Sequence, residues 1–506
     1  MISRNSVVII CIITVCFLFS GRAMGADVYQ DWSRTFEVPE DSGYTTQLAI
    51  DSEGNIVVAA EGGNRLIFVK YSAVGETLWT ASYDCGDSTC GLVKMVLDPQ
   101  DNILIAAYAN LAILTLKYDG SGNMLWTNAF EELQHSQAEA IQADAAGDII
   151  IAGVVTYVTG VKAAYDPAAL LIKYDSDGNL LWYVDHNPSA KTDAFTAVAV
   201  DSQGNYVAAG YAKGQGGPSD CDYLTAKYDS AGNLLWAETY DGPSHIADQV
   251  AALALDSADN VVVTGESFDL EHTFDYLTVK YDPAGHQLWE ARYNSWDSWL
   301  ANDSPTSLAV DGNDNIIVTG EAQPAIGDDN VYINYATVKY DPQGNEQWVA
   351  YYNGFGGSDD HYAKDVSTDY EGNIFVTGNS PNGGWLLYGP QVDLATIKYD
   401  ADGQEIWTMR YSVPSYTVAS VHSPVMALDG AGNIYLAGDF CMPADDPEDE
   451  NGTCINYRVD TVKYVQGSPP DDDAVDDDDE DDDEQTPDDD GSHDSEDGGG
   501  DHGCSA

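Results

Sequence analysis

DYLTVKYDPAGHQLW, residues 275–289, is written again with small changes along the chain. DYLTAKYDSAGNLLW begins at Asp222, YATVKYDPQGNEQW at Tyr335 and DLATIKYDADGQEIW at Asp393. Between these lines runs a second recurring phrase, as in LALDSADNVVVTG from Leu253 and LAVDGNDNIIVTG from Leu308. Self-similarity at a fixed period points to repeated supersecondary units, so it is read before any single element.

The second phrase carries an Asp at 51, 98, 144, 201, 256, 311, 369 and 429. The first carries a Lys at 70, 117, 173, 227, 280, 339, 398 and 463, strictly interleaved with those Asp. Each phrase reads as a β-hairpin: short runs of Val, Ile, Leu, Thr and Tyr joined by D-x-x-G-N or D-x-x-D-N turns. Gly and Asn tolerate the positive φ of such turns, and Asp bonds the turn backbone. Two hairpins make four strands in roughly 55 residues, the size of one propeller blade.

Trp is the third landmark, at 79, 126, 182, 236, 289, 348 and 407, one short of the eight Asp and Lys. The missing one stands at the other end, in DWSRTF, with Trp32 four residues before Phe36. The same spacing separates Trp79 from Tyr83 and Trp289 from Tyr293. The expectation is an all-β chain: a β-propeller of eight four-stranded blades, with seven as the alternative, closed by an N-terminal strand around Trp32. One Trp per blade would space neighbouring sheets, and the Lys and Asp would pair, because an unpaired buried charge is costly.

The D-x-x-G-N-x-x-V-x-G and V-K-Y-D-x-x-G-N-x-L-W lines resemble secreted bacterial β-propeller repeats of the seven-bladed-propeller type. The Y-D-x-x-G-x-x-x-W portion also resembles the tryptophan-docking motif of quinoprotein-like eight-bladed propellers. The likeness covers about residues 29–466 and implies a fold, since one fold hosts many functions.

Residues 1–26 read as a signal peptide: Arg4, then an uncharged stretch from Val7 to Phe19, then small residues. Residues 27–467 are the expected propeller and 468–506 an acidic tail. Asp471 to Asp501 holds nineteen Asp or Glu and no Lys or Arg, a composition expected to stay disordered. The chain would then be exported, to the periplasm or outside the cell, where disulfides form. Cys85 with Cys90 and Cys441 with Cys454 are the expected pairs. The remaining sixty-five acids against twenty bases exclude nucleic acid, whose phosphates need Lys and Arg.

The A–B and C–D turns are short and repeated, so function is expected on the opposite face, formed by the B–C loops and D-to-A connections. Trp296, Trp299 and Trp385 stand outside the repeat there and suit sugar rings, which stack on a π-face. His186 and His361 fall in the same connections, His186 in a slot where most other blades place an aromatic. Asp193, Asp248 and Asp303 stand eight residues before the A-strand Asp and would line the channel mouth, where a carboxylate ring can hold Ca²⁺. The alternative for these three is hydrogen bonding between neighbouring A strands.

The expected function is non-catalytic binding or adhesion, with a glycan or an extracellular protein as partner. One alternative is a propeller enzyme acting on polysaccharide or a quinoprotein-like oxidoreductase. The resemblance to the latter implies a quinone, often with adjacent cysteines, and no Cys-Cys pair is present. A second alternative is an extracellular scaffold for protein assembly.

Overall fold

The computed structural model describes residues 28–38, 46–86, 90–133, 135–159, 164–187, 192–214, 220–270, 273–295, 301–324, 332–354, 359–386, 389–412, 421–443 and 454–467. These residues form eight antiparallel sheets of four strands each. Seven sheets are consecutive in sequence: blades 1 to 7 span 46–84, 90–129, 136–186, 193–240, 248–293, 304–352 and 362–411. Blade 8 takes three strands from 421–466 and its outer strand, Val28–Val38, from the other end of the chain. Trp32 pairs with Lys463 there, as Trp79 pairs with Lys70 and Trp289 with Lys280 in ordinary blades. The eight-bladed reading holds, and with it the closure around Trp32.

Strands are labelled A to D in blade order. Each A strand touches the A strands of both neighbouring blades, and these strands surround the axis. Eight apolar cores lie between successive blades, the one joining blades 8 and 1 included. Burial on both faces explains why strands B and C read as nearly unbroken apolar runs.

The repeated line is the connector between blades. Trp79 Nε1 donates to the carbonyl of Gly120, in the C–D turn of the next blade, at 3.1 Å, and Lys70 Nζ donates to the same carbonyl at 2.9 Å. Trp236 and Lys227 converge likewise on Pro283, and Trp289 and Lys280 on Pro342. Trp32 and Lys463 repeat the arrangement on Ala73 and so latch the ring. The turn Gly lies against the Trp ring: a Cβ on Gly344, at φ 85°, would stand 2.6 Å from Trp289. Only glycine provides both that φ and that approach.

In blades 1 to 7 each Lys also pairs with the Asp of its own A–B turn, from Lys70–Asp51 at 2.7 Å to Lys398–Asp369 at 3.5 Å. Blade 8 departs from this expectation. Lys463 pairs with Asp31 at 3.1 Å, and Asp429 instead accepts from Tyr435 and Asn433. The bulge before the strand D Trp is common to the blades, and in blade 8 the residue it takes out of the ladder is the acid Asp31, where blade 1 has Leu78 and blade 5 Leu288.

Candidate binding site

The face opposite the repeated turns is uneven because its B–C loops differ in length. Blades 1 and 2 turn in two residues, Gly63–Asn64 and Asn110–Leu111, between strands Ile56–Gly62 and Arg65–Tyr71 and between Ile103–Ala109 and Ala112–Tyr118. Their B–C hairpins, 56–71 and 103–118, are the shortest of the eight and leave a notch over blade 2. A groove of about 690 Å³ opens there, lined by Tyr83, Asp84, Asn110, Leu111, Glu131 and His135 among others. A second, of about 520 Å³, adjoins it and is lined by Tyr108, Leu111, His135, Ser136, Gln137 and Thr156. Leu111 and His135 are common to both.

Two features of this notch are energetically unfavourable for the fold alone. Leu111 adopts φ 66° while 65% exposed. The left-handed region costs a branched side chain about 1–2 kcal/mol, and the side chain recovers little of that by burial. Tyr108 is 40% exposed and lies across Gly91, its partner on strand Cys90–Leu97, where any Cβ would fall inside the ring. The missing Cβ lets the ring lie flat, with its outer face open.

The floor is held firmly. The Cys85–Cys90 disulfide ties the end of blade 1 to the start of blade 2, as the sequence suggested. Cys85 N–H donates to the Asn64 carbonyl at 2.9 Å, and Asn64 Nδ2 donates to the Gly86 carbonyl. The Gly86 N–H, with Arg65 beyond it, holds the Asp84 carboxyl below its usual range. The notch thus combines open aromatic surface with fixed acceptors and amides.

The aromatic, histidine and aspartate residues singled out from the sequence do not line these grooves where the structure describes them. Trp296 and Trp299 lie outside the described residues, as do the side chains of Trp385, Cys441 and Cys454. The backbone of Trp385 is in strand Ile374–Leu386, opposite Pro390. His186 fills the aromatic slot, stacked on Phe195 and edge-on to Tyr228, and burial lowers its pKa. His361 is buried against Tyr352 with Nδ1 2.8 Å from Ser380 Oγ, and burial lowers its pKa as well.

Asp193, Asp248 and Asp303 are all buried at the entry to their A strands. Asp193 accepts from Lys213 N–H of its own strand B at 3.0 Å, whereas Asp248 and Asp303 accept from the connections entering their blades, Gly242 N–H at 2.7 Å and Ser295 N–H at 2.6 Å, and Asp303 also from Gln323 N–H at 3.0 Å. Among the described residues these contacts tie strand B or the incoming connection to the start of strand A.

The acids that do converge are different ones. Among the described residues, Asp220, Asp222 and Asp241 bring ligand oxygens within 4.8 Å of one another, a donor set suited to a hard cation. The internal repeat shows how Asp222 differs from its counterparts. In blades 5 and 7 the equivalent Asp275 and Asp393 pair with Arg292 and Arg410 on strand D. In blade 4 that strand position is Thr239, so Asp222 faces carboxylates without an Arg. Burial, then Asp241, Asp220 and Asp248, push its carboxyl up to about 7. Spacing in sequence gave no sign of this group, because its members come from a B–C loop, the start of strand C and a D-to-A connection.

The β-propeller repeat family matches residues 347–383, from strand D of blade 6 into strand B of blade 7. An uncharacterized WD repeat-containing protein of Acanthamoeba polyphaga mimivirus is 24% identical over 169 residues, 30% of this chain. The match spans only 11% of that relative's length. A Dyadobacter fermentans protein of unknown function aligns with 87% of this chain and 99% of its own, at 8% identity and a TM-score of 0.40. A puromycin hydrolase aligns over 81% of this chain and 60% of its own, at 13% identity and a TM-score of 0.44. The NanB sialidase of Streptococcus pneumoniae, as a point mutant, aligns over 86% and 98%, at 9% identity and a TM-score of 0.37. With eight four-stranded antiparallel blades, the chain is an eight-bladed β-propeller, and residues 347–383 are similar to the β-propeller repeat.

Proposed function

We propose that this is an exported, non-catalytic binding propeller that receives a glycan in the notch over blade 2. The observation that carries the reading is Tyr108 beside Leu111: an open ring seated on Gly91, next to an exposed leucine held at positive φ. Strain and exposed apolar surface kept together are a pointer to function. Sugar rings stack on aromatic faces, and Asp84, Asn110, Glu131 and Gln137 around the two grooves offer partners to their hydroxyls. The leader sequence and the Cys85–Cys90 disulfide support an oxidising compartment.

The test is binding of the full chain to a panel of soluble polysaccharides, with Tyr108→Ala as control. The expected result is binding by the natural protein that falls at least tenfold in the variant, with unchanged thermal unfolding. Equal binding by both would move the site off blade 2. No binding by the natural protein would turn the search to protein partners.

A further inference from the structure

The outer rim carries a feature that the notch does not use. The two residues before the strand D Trp are exposed and apolar in three successive blades: Met124 and Leu125, Leu180 and Leu181, Leu234 and Leu235. Each is between 37% and 52% exposed. Leu78 and Leu288 extend the row by one residue into blades 1 and 5. The same positions in blade 6 are Glu346 and Gln347, and the outer strand of blade 8 has Gln30 and Asp31.

The pairs are neighbours around the rim. Trp126, which follows Leu125, donates to Ser176 in the turn from which Leu180 emerges, and Trp182 likewise donates to Ser230 just before Leu234. Single exposed leucines on a surface are ordinary, but exposed apolar pairs recurring at one place in three adjacent blades mark an interaction surface. Nothing in the blade needs them: Glu346 and Gln347 occupy the place in blade 6, where Trp348 still docks on Ala401.

The charge around the row is of one sign. The C–D turns and D strands of these blades, residues 118–129, 174–186 and 228–240, contain Asp119, Asp175, Asp177, Asp185, Asp229 and Glu238 and no Lys or Arg. Strand D is also the free edge of each sheet, hydrogen-bonded on one side only. A second copy of this chain, or an anionic lipid surface, would bring like charge against these acids. We infer that the rim of blades 2 to 4 docks a cationic amphipathic polypeptide segment. Its apolar side chains cover the leucine row and its Lys or Arg residues meet the flanking carboxylates.

The probe is an amphipathic peptide of Leu and Lys, titrated against the full chain, with a Leu and Glu peptide of the same pattern beside it. The variant Leu125→Thr, Leu181→Thr, Leu235→Thr leaves every charge in place. The expected result is binding of the Lys peptide alone, weakened at least tenfold in the variant and reduced by salt. Undiminished binding to the variant would reduce the effect to bulk charge and overturn the inference, as would no binding at all. Self-association that the variant abolishes would also overturn it and make the row a contact between copies.

Discussion

Asp314 of blade 6 clasps Ser257 of blade 5, accepting its backbone N–H at 2.8 Å and its hydroxyl at 2.7 Å. Asp101 with Ser52 and Asp259 with Ser202 repeat the clasp. In each case Asp stands at the turn position where other blades have Gly, at φ 60–61°. Turn strain and inter-blade bonding are therefore opposed at one residue. Asp314→Ala, which keeps the strain and loses the clasp, should cost about 2 kcal/mol, and Asp314→Gly about 1 kcal/mol. Urea unfolding of both variants checks this; equal losses would mean that the turn stores no strain.

Trp289 and Trp407 hold the same place in their blades but differ in one bond. Trp289 Nε1 reaches Pro342, whereas Trp407 Nε1 is buried without a partner among the described residues. Beyond Trp407 the next blade has no continuous C–D turn, because its strands come from opposite ends of the chain. Trp289→Phe should cost about 1 kcal/mol more than Trp407→Phe, the worth of one hydrogen bond. Gly344→Ala should cost at least about 2 kcal/mol, from φ and the ring together. Denaturant midpoints of the three variants give the comparison.

Lys280 and Asp256 form an ion pair at 2.8 Å with both side chains almost fully covered. Burial acts to raise the Asp256 pKa, but Lys280 and Asn260 outweigh it and the carboxyl titrates below its usual range. Lys280→Met should cost about 3–5 kcal/mol by leaving a buried charge. The double variant Lys280→Met, Asp256→Asn should recover most of that loss. A depressed acid lends stability above its unfolded pKa and loses it as pH falls through the folded one. The natural pair should therefore fail at strongly acid pH, which thermal melts across pH would reveal.

Asp222 gives the opposite sign. Its folded pKa of about 7 lies above the unfolded 3.8, so the folded state holds the proton more tightly between those values. Its contribution is fully present at low pH and lost as pH rises from about 4 to about 7. Asp222→Asn should melt like the natural protein near pH 4 and above it at pH 8. A constant difference between the two across that range would contradict the assignment.

The fold was legible because its spacings are chemical necessities. Trp32 could be assigned to the far end of the ring, since a propeller needs one outer strand per blade and only the N-terminus had one spare. The notch was not legible for an instructive reason. Attention to long, irregular loops points to Trp296, Trp299 and Trp385, whereas the groove lies where the loops are shortest. Asp51 to Lys70 and Asp98 to Lys117 are the two shortest such intervals in the chain, and that signal marked the low part of the face. The Asp220, Asp222 and Asp241 group was hidden differently: its meaning depends on Thr239 standing where blades 5 and 7 have Arg292 and Arg410 beside the equivalent Asp, a pairing across strands that only the fold brings together.

The seam of blade 8 also sets how the ring answers to force. Strand Val28–Val38 runs antiparallel to strand Cys454–Gln466, with Val28 opposite Gln466. The chain therefore leaves the seam at the same end on both strands. Tension applied through the two exits would peel the pairs one after another, as a zipper opens, instead of loading all of them in shear. A ring held at every other joint by continuous chain has in this seam its designated point of mechanical release.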